Sequence, residues 1–169
     1  MIKKVYVING SGGVGKDTFC NLVNKYVNSV VISSITPIKN IAERVGWSGT
    51  KTEKDRKFLS DLKDLFTEYN DYPMQYLKSQ CIPFLRGEMY IGCKVMFLHI
   101  REPKEIQRAV EVFGAKTILI TNATVEHIES NHADKDVNNY TYDCYIHNDG
   151  SLEQLNELAK SFCEVEGLL

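Results

Sequence analysis

Hydrophobic positions along the chain switch repeatedly between two spacings. "KVYVI" (4–8) is a short, continuous, largely β-branched apolar run, as expected for a strand buried on both faces of a parallel sheet. A glycine-rich stretch follows, and then Phe19, Leu22, Val23, Tyr26 and Val27 recur at helical spacing. "VVIS" (30–33) reads as a second strand. "TPIKNIAERVGW" reads as a helix with Pro37 in its first turn, Ile38, Ile41, Ala42 and Val45 on one face, and Gly46 placed to end it. From Lys54 to about Arg86 the pattern is helical throughout. One stripe is Phe58, Leu62, Leu65, Phe66 and Tyr69, and another is Met74, Leu77, Cys81 and Leu85. "NDYP" separates the two, and Pro83 is expected to kink the second.

"CKVMFLHI" (93–100) is a third predicted strand, followed by an amphipathic helix on Ile106, Ala109, Val110 and Phe113. "KTILIT" and "DCYIH" (143–147) are the fourth and fifth strands. "SLEQLNELAKSFCEV" closes the chain as a helix, with Ser151 and Gln154 at capping-box spacing. Strands alternating with helices predict an α/β fold: a five-stranded parallel sheet, helices on both faces, right-handed crossovers, and a site at the carboxyl ends of the strands. Residues 35–92 are too many for a simple crossover and predict a helical lobe beside the sheet.

With 169 residues, 43% hydrophobic and 25% charged, the chain fits one domain (1–169) with a sizeable core. A formal net charge of −2 and the lack of a basic block argue against nucleic acid and membrane surfaces as partners, so an anionic ligand needs a local site. The five scattered cysteines have no C-x-x-C spacing, and reduced, mostly buried thiols in a cytoplasmic protein are expected. The N-terminus lacks a signal-peptide pattern, and no apolar run approaches the roughly 18 residues of a membrane span.

The chemistry concentrates in the glycine-rich stretch. Gly10 to Lys16 satisfies G-x-x-x-x-G-K directly between a predicted strand and a predicted helix, the setting a phosphate-binding loop requires. In such a loop backbone N–H groups curl around phosphate oxygens, and Lys16 supplies a mobile charge for the β- and γ-phosphates. The next residue is Asp17, where Ser or Thr is usual. A carboxylate there can hold Mg2+ directly or through water, and Thr18 is a competing hydroxyl ligand one residue on. Alternatively, Asp17 merely suits the first turn of a helix.

"SGGVGKDT" resembles the G-K-D-T loop of phage-type deoxynucleoside monophosphate kinases and, more loosely, that of phosphomevalonate kinases. "ITPIKNIAERVGW" with "KDRKFLSDLKDL", "FLHIREPKEI" and "YDCYIHNDGSLEQL" extend the resemblance along most of the chain in the same order. It implies a three-layer α/β/α P-loop nucleoside-kinase-like fold whose helical insertion (about 35–92) binds the acceptor, with a short lid at about 122–141. It also implies ATP and Mg2+ as cofactors and transfer of the γ-phosphoryl group to a small phosphorylated acceptor. ATP would be bound by Ser11, Gly12, Gly13, Val14, Gly15, Lys16, Asp17, Thr18 and Asn148, the last in a loop that a plain capped turn also explains.

Lys16, Asp17 and Arg101 are the candidate catalytic residues, and Asp17 and Thr18 the candidate metal ligands. Arg101, at the end of the third strand, is either a phosphate contact or a structural ion-pair partner. Lys39, Arg44, Arg56 and Arg86 are the candidate acceptor-binding cations, and Arg108 reads as a surface residue. The chain departs from the kinase pattern in two places. "FLHIRE" offers His99 and Glu102 rather than an acid at the strand end, and the lid region holds only Lys135 as a firm cation. His99 alternates with Leu98 and Ile100, so it can equally line the sheet.

Three readings follow: a (deoxy)nucleoside monophosphate kinase, a kinase for a non-nucleotide phosphorylated metabolite, and a nucleotide-binding regulatory protein with little turnover. Tyr69, Tyr72, Tyr76 and Tyr90 can serve a base as stacking surfaces or serve the lobe as packing. A homodimer is one option for the oligomeric state.

Overall fold

A computed structural model describes residues 2–125 and 136–169, leaving aside the side chains of Asp136 and Asn138. The central part of the expected lid, Lys135 included, lies outside the described residues. The strands are β1 (Lys4–Asn9), β2 (Ser29–Ser33), β3 (Val95–His99), β4 (Lys116–Thr121) and β5 (Cys144–His147). They form one parallel sheet in the order β2-β3-β1-β4-β5. Six α-helices lie among the described residues: α1 (Lys16–Val23), α2 (Thr36–Arg44), α3 (Glu53–Asn70), α4 (Tyr72–Arg86), α5 (Pro103–Phe113) and α6 (Leu152–Val165). None is long and apolar enough to cross a membrane.

Because successive strand side chains point to opposite faces, the continuous apolar runs supply two cores at once. Tyr6, Ile8, Phe97, Ile118 and Ile120 pack with residues of α1 and α6 on one face. Phe162 of α6 stands edge-on to Tyr6 and Phe19 at 5.1 and 5.6 Å, the arrangement aromatic quadrupoles favour. Val5, Val7, Met96, Leu98 and Leu119 pack with residues of α4 and α5 on the other face. The predicted capping box of α6 is present: Gln154 N–H donates to Ser151 Oγ at 3.3 Å, and Ser151 N–H donates to Gln154 Oε1 at 2.8 Å.

The region between β2 and β3 divides differently from the expected lobe. Met74, Leu77, Cys81 and Phe84 of α4 are buried in the sheet-face core, so α4 is the crossover helix itself. Phe84 takes the inward position expected of Leu85, which is exposed. Pro83 lies inside α4, and the helix runs on to Arg86. Tyr76 and Tyr90 pack against this same core, whereas Tyr69 is 79% exposed.

The stripe expected to bury α3 does not do so. Phe58, Leu65 and Tyr69 are exposed, Leu62 and Phe66 are half-buried, and the one buried side chain of the helix is Lys63. Its ammonium donates to Glu102 Oε2 at 2.6 Å and Glu105 Oε2 at 2.7 Å, joining α3 to the start of α5. Burial opposes that charge, but the two carboxylates outweigh it and hold the Lys63 pKa above its usual value. Glu105 is pushed up to about 7, by burial first and by the neighbouring Glu102 against the pull of Lys63. Arg108 is also more than a surface residue. It makes a two-pronged contact with Asp71, Nη1 to Oδ1 at 2.9 Å, and Asp71 is the left-handed residue (φ 58°) between α3 and α4.

A buried pair broken on one side leaves uncompensated charge. Lys63→Met is therefore expected to destabilise the chain by about 3–5 kcal/mol at pH 8, read from urea unfolding. Without the ammonium both carboxyl pKa values rise in the folded state, so the folded variant binds more protons than the unfolded chain and gains stability as pH falls. The deficit should shrink at pH 5.5, and a pH-independent deficit would contradict this arrangement.

Candidate functional site

The register of the sheet assembles the site. Ile8 pairs with His99 across β1 and β3, so the loop after Asn9 and the segment at Arg101 leave the same edge side by side. Asn9 is completely buried and spends its side chain on that edge. Its amide donates to the Arg101 carbonyl at 3.1 Å and to Tyr142 Oη at 2.8 Å, while its Oδ1 accepts from Gly10 N–H at 2.8 Å. Tyr142 Oη in turn donates to the Val137 carbonyl at 2.9 Å. A buried polar group costs stability unless bonded, and Asn9 answers that by fixing three segments at once.

Residues 10–15 then turn into α1. Gly10 has φ 143°, and a Cβ there would sit 2.3 Å from the Ile120 carbonyl oxygen. Gly15 is the N-cap of α1 at φ 98°, with no side chain capping the helix. A Cβ on Gly15 would meet Asn148 Nδ2 at 2.5 Å. Only glycine meets both demands without strain. Val14 is buried and anchors the loop, whereas Gly12 and Gly13 are exposed. The result is a helix start with no side-chain cap, the setting in which backbone N–H groups and the helix dipole favour an anion.

Lys16 folds back over this loop, its ammonium donating to the Gly10 and Ser11 carbonyls at 2.6 and 2.7 Å. Asp17 and Thr18 follow on the exposed first turn of α1. The Asp17 carboxylate points toward the end of β3, its Oδ1 3.7 Å from His99 Nε2. His99 thus reaches the loop instead of lining only the sheet. Its Nε2 is buried and has no hydrogen-bond partner among the described residues. Burial pushes the imidazole down to about 4; Asp17 opposes that shift, while Lys16, Arg101 and Lys39 add to it. Three cations therefore act on this one point of the sheet edge.

Lys39 is in the first turn of α2, which is seated on β3 through Ser34 N–H donating to the His99 carbonyl at 3.2 Å. Arg56 is in the first turn of α3, its Nε donating to the Lys51 carbonyl at 3.2 Å. Arg44 is exposed in the last turn of α2. Arg86 is not brought to the loop. It ends α4 between Phe84, whose ring lies 4.4 Å from the Lys3 ammonium, and Met89, whose carbonyl accepts from Lys3. Lys3 precedes β1, so Arg86 stands at the opposite edge of the sheet. Glu102 is not a free strand-end acid either, because Lys63 engages it.

On the other side of the loop, a cavity of about 260 Å³ is lined by Ser11, Val14, Thr121, Asn122, His147 and Asp149. Its wall is stitched by Thr121 Oγ1 with His147 Nδ1 at 2.9 Å and by Ala123 N–H donating to Asp149 Oδ1 at 2.6 Å. Asn148 turns inward from this segment, donating to the Val14 carbonyl at 2.9 Å. It braces the glycine loop from the β5 side as Asn9 does from the β3 side. Asn9 escaped sequence reasoning, although a polar residue closing a buried apolar run just before a glycine loop was a visible signal.

No protein-family model matches the chain, and no curated protein sequence does. Solved structures do match. A sugar kinase from Janibacter sp. superposes with a TM-score of 0.53 at 13% identity, covering 97% of this chain and 95% of that one. TT1252 from Thermus thermophilus superposes with a TM-score of 0.50 at 16% identity, covering 97% of this chain and 98% of that one. Together with the all-parallel sheet, these likenesses show the fold, an α/β arrangement with a five-stranded parallel sheet and helices on both faces.

Replacing Asn9 tests the brace. Asn9→Ala removes the acceptor of Gly10 N–H and the donor to the Arg101 carbonyl, and should cost about 1–3 kcal/mol in urea unfolding. An unchanged midpoint would show that the loop does not depend on it.

Proposed function

We propose that this chain is an ATP-dependent phosphotransferase that moves the γ-phosphoryl group to a (deoxy)nucleoside monophosphate. The observation that carries the reading is the loop itself: a glycine-fixed helix start, uncapped by any side chain, with Lys16 over it and Asp17 on its first turn. In this reading the N–H groups of residues 11–18 bind the phosphates, and Lys16 moves from the loop carbonyls onto the β- and γ-oxygens. The apolar-floored cavity beside Val14, walled by the segment from His147 to Asp149, takes the adenine, and Asn148 holds the loop in shape for it.

The residues present fit a divalent cation. Asp17 and Thr18 offer an exposed carboxylate and an exposed hydroxyl on the first turn of α1, oxygen donors to which nucleotide phosphates and water add the remaining positions. When bound, that cation neutralises charge building on the transferring group. Arg101 and Lys39 supply fixed positive charge at the same edge, orienting the γ-phosphoryl group and the acceptor phosphate. Arg56 stays in the acceptor set at the head of α3; Arg44 belongs to it more distantly, and Arg86 leaves it.

A second reading, a non-nucleotide phosphorylated acceptor, draws on the likeness to a sugar kinase and on the thin set of lobe cations that remains. Coupled ADP release across nucleoside and deoxynucleoside monophosphates separates the two. Stimulation by one of them supports the lead reading. Flat turnover with nucleotides but stimulation by a phosphorylated sugar or alcohol supports the second.

Lys16→Ala should lower phosphoryl transfer by at least about a hundredfold, and wild-type turnover in that variant would remove the phosphate-loop assignment. Asp17→Asn should shift the Mg2+ dependence of turnover to higher concentration by about tenfold or more. An unchanged Mg2+ titration would reduce Asp17 to a helix-start residue.

A further inference from the structure

Arg101 follows β3 at the edge beside the glycine loop, and the chain holds it there from two sides. Its carbonyl accepts from the buried Asn9 amide at 3.1 Å. The next residue, Glu102, is the N-cap of α5, yet its side chain does not cap the helix. The carboxylate turns instead to the Lys63 ammonium at 2.6 Å, and the same ammonium reaches Glu105, one turn on, at 2.7 Å. Lys63 is 7% exposed. Replacing a buried ion cluster of this kind by apolar side chains of similar volume commonly leaves a fold as stable or more so. α3 has apolar side chains to offer, but Phe58 and Leu65 are exposed while the lysine is inside. What the ions add over an apolar contact is direction. Two short, charge-assisted hydrogen bonds fix α3 along and about its own axis, where an apolar contact can slide.

That grip reaches two arginines. Arg101 is the chain neighbour of Glu102. Arg56 lies seven residues before Lys63, within about 20° of the same face of α3 and about 10 Å along its axis. The far end of α3 is pinned separately, by Arg108 on Asp71 at the turn into α4. With the helix held at Lys63 and at Asp71, its first turn moves only if one of these contacts breaks. We propose that Lys63 is a positioning residue for phosphoryl transfer: through Glu102 and Glu105 it sets Arg101 at the sheet edge and Arg56 at the head of α3 in fixed relation to each other. The inference rests on the reading of the loop as an ATP site and adds to it a residue that touches neither substrate. Misplacing an orienting group by about 1 Å can cost about a hundredfold in rate, so the grip weighs on turnover more than on nucleotide affinity.

The test separates position from stability. Lys63→Met, Glu102→Gln and Glu105→Leu combined in one full-length chain remove all three charges and leave none buried and unpaired. Urea unfolding, ATP affinity and ADP release are compared with the wild type, using ATP, Mg2+ and a mixture of ribo- and deoxyribonucleoside monophosphates. The expected result is a urea midpoint close to that of the wild type and an ATP affinity within about twofold, with turnover lower by at least about tenfold. Heteronuclear NOE values at the side-chain Nε of Arg101 and Arg56, measured with ATP bound, should fall in the variant. Wild-type turnover in the variant overturns the proposal, and so does a loss of ATP affinity that matches the loss of turnover. Where the mixture elicits no ADP release from a wild type that binds ATP, the arginine NOE values decide, and unchanged values overturn the proposal. A wild type that does not bind ATP overturns this inference and the ATP reading together. Should the triple variant fail to fold, Glu102→Gln serves in its place, because Lys63 keeps Glu105 as a partner. It must lose turnover at unchanged ATP affinity, and wild-type turnover there also overturns the proposal.

Discussion

Everything at the carboxyl edge of this sheet depends on the backbone path between Asn9 and Lys16. The path is narrow: Gly10 passes so close to the Ile120 carbonyl, and Gly15 so close to Asn148, that neither position accepts a Cβ. Such a path holds only if both flanks are fixed. Asn9 fixes one by bonding Gly10, the Arg101 carbonyl and Tyr142, and Asn148 fixes the other by bonding the Val14 carbonyl. The five-stranded register brings those flanks together, so the cores on the two faces of the sheet position the loop as well as stabilise the chain. A loop made this way is organised in advance, which would lower the ordering cost of an anion binding there.

Charge at the edge follows a division of labour. Lys16, Lys39 and Arg101 act on His99, and Asp17 answers them from the loop. Glu102, the other acid within reach of the strand end, is withdrawn into a buried contact with Lys63 that ties α3 to α5. The same contact explains how a helix with an exposed apolar face stays attached: α3 is held by a buried ion triad and by the Arg108–Asp71 pair at its C-terminal end. The first turn of α3, with Arg56, is thereby placed by structural ties outside the loop.

Much of this was legible in the sequence, and for physical reasons. The inner strands β1, β3 and β4 are buried on both faces, so each read as a nearly unbroken apolar run, and the glycine loop sat between a strand and a helix. The Ser151–Gln154 capping box was visible from spacing alone. Periodicity failed at α3, because it detects an apolar face without saying what covers it; the buried member of that helix turned out to be Lys63. It also assigned Leu85 rather than Phe84 to the core, an error of one position near Pro83. Site residues were hardest where partners are distant in sequence. Asn9 meets Tyr142 133 residues away, and Asp17 meets His99 only because β1 and β3 are neighbours in the sheet. Arg86 was grouped with the lobe cations by sequence proximity, and the direction of α4 carries it to the far edge.

Amide shift mapping of the 15N-labelled chain on titration with Mg2+ and ATP tests the central claim most directly, because it reads the loop backbone itself. The account predicts the largest shifts at the amides of Gly12 to Thr18, with smaller ones at Asn9 and Asn148 that brace them. Loop amides that stay in place while ATP binds elsewhere, or does not bind, would contradict it.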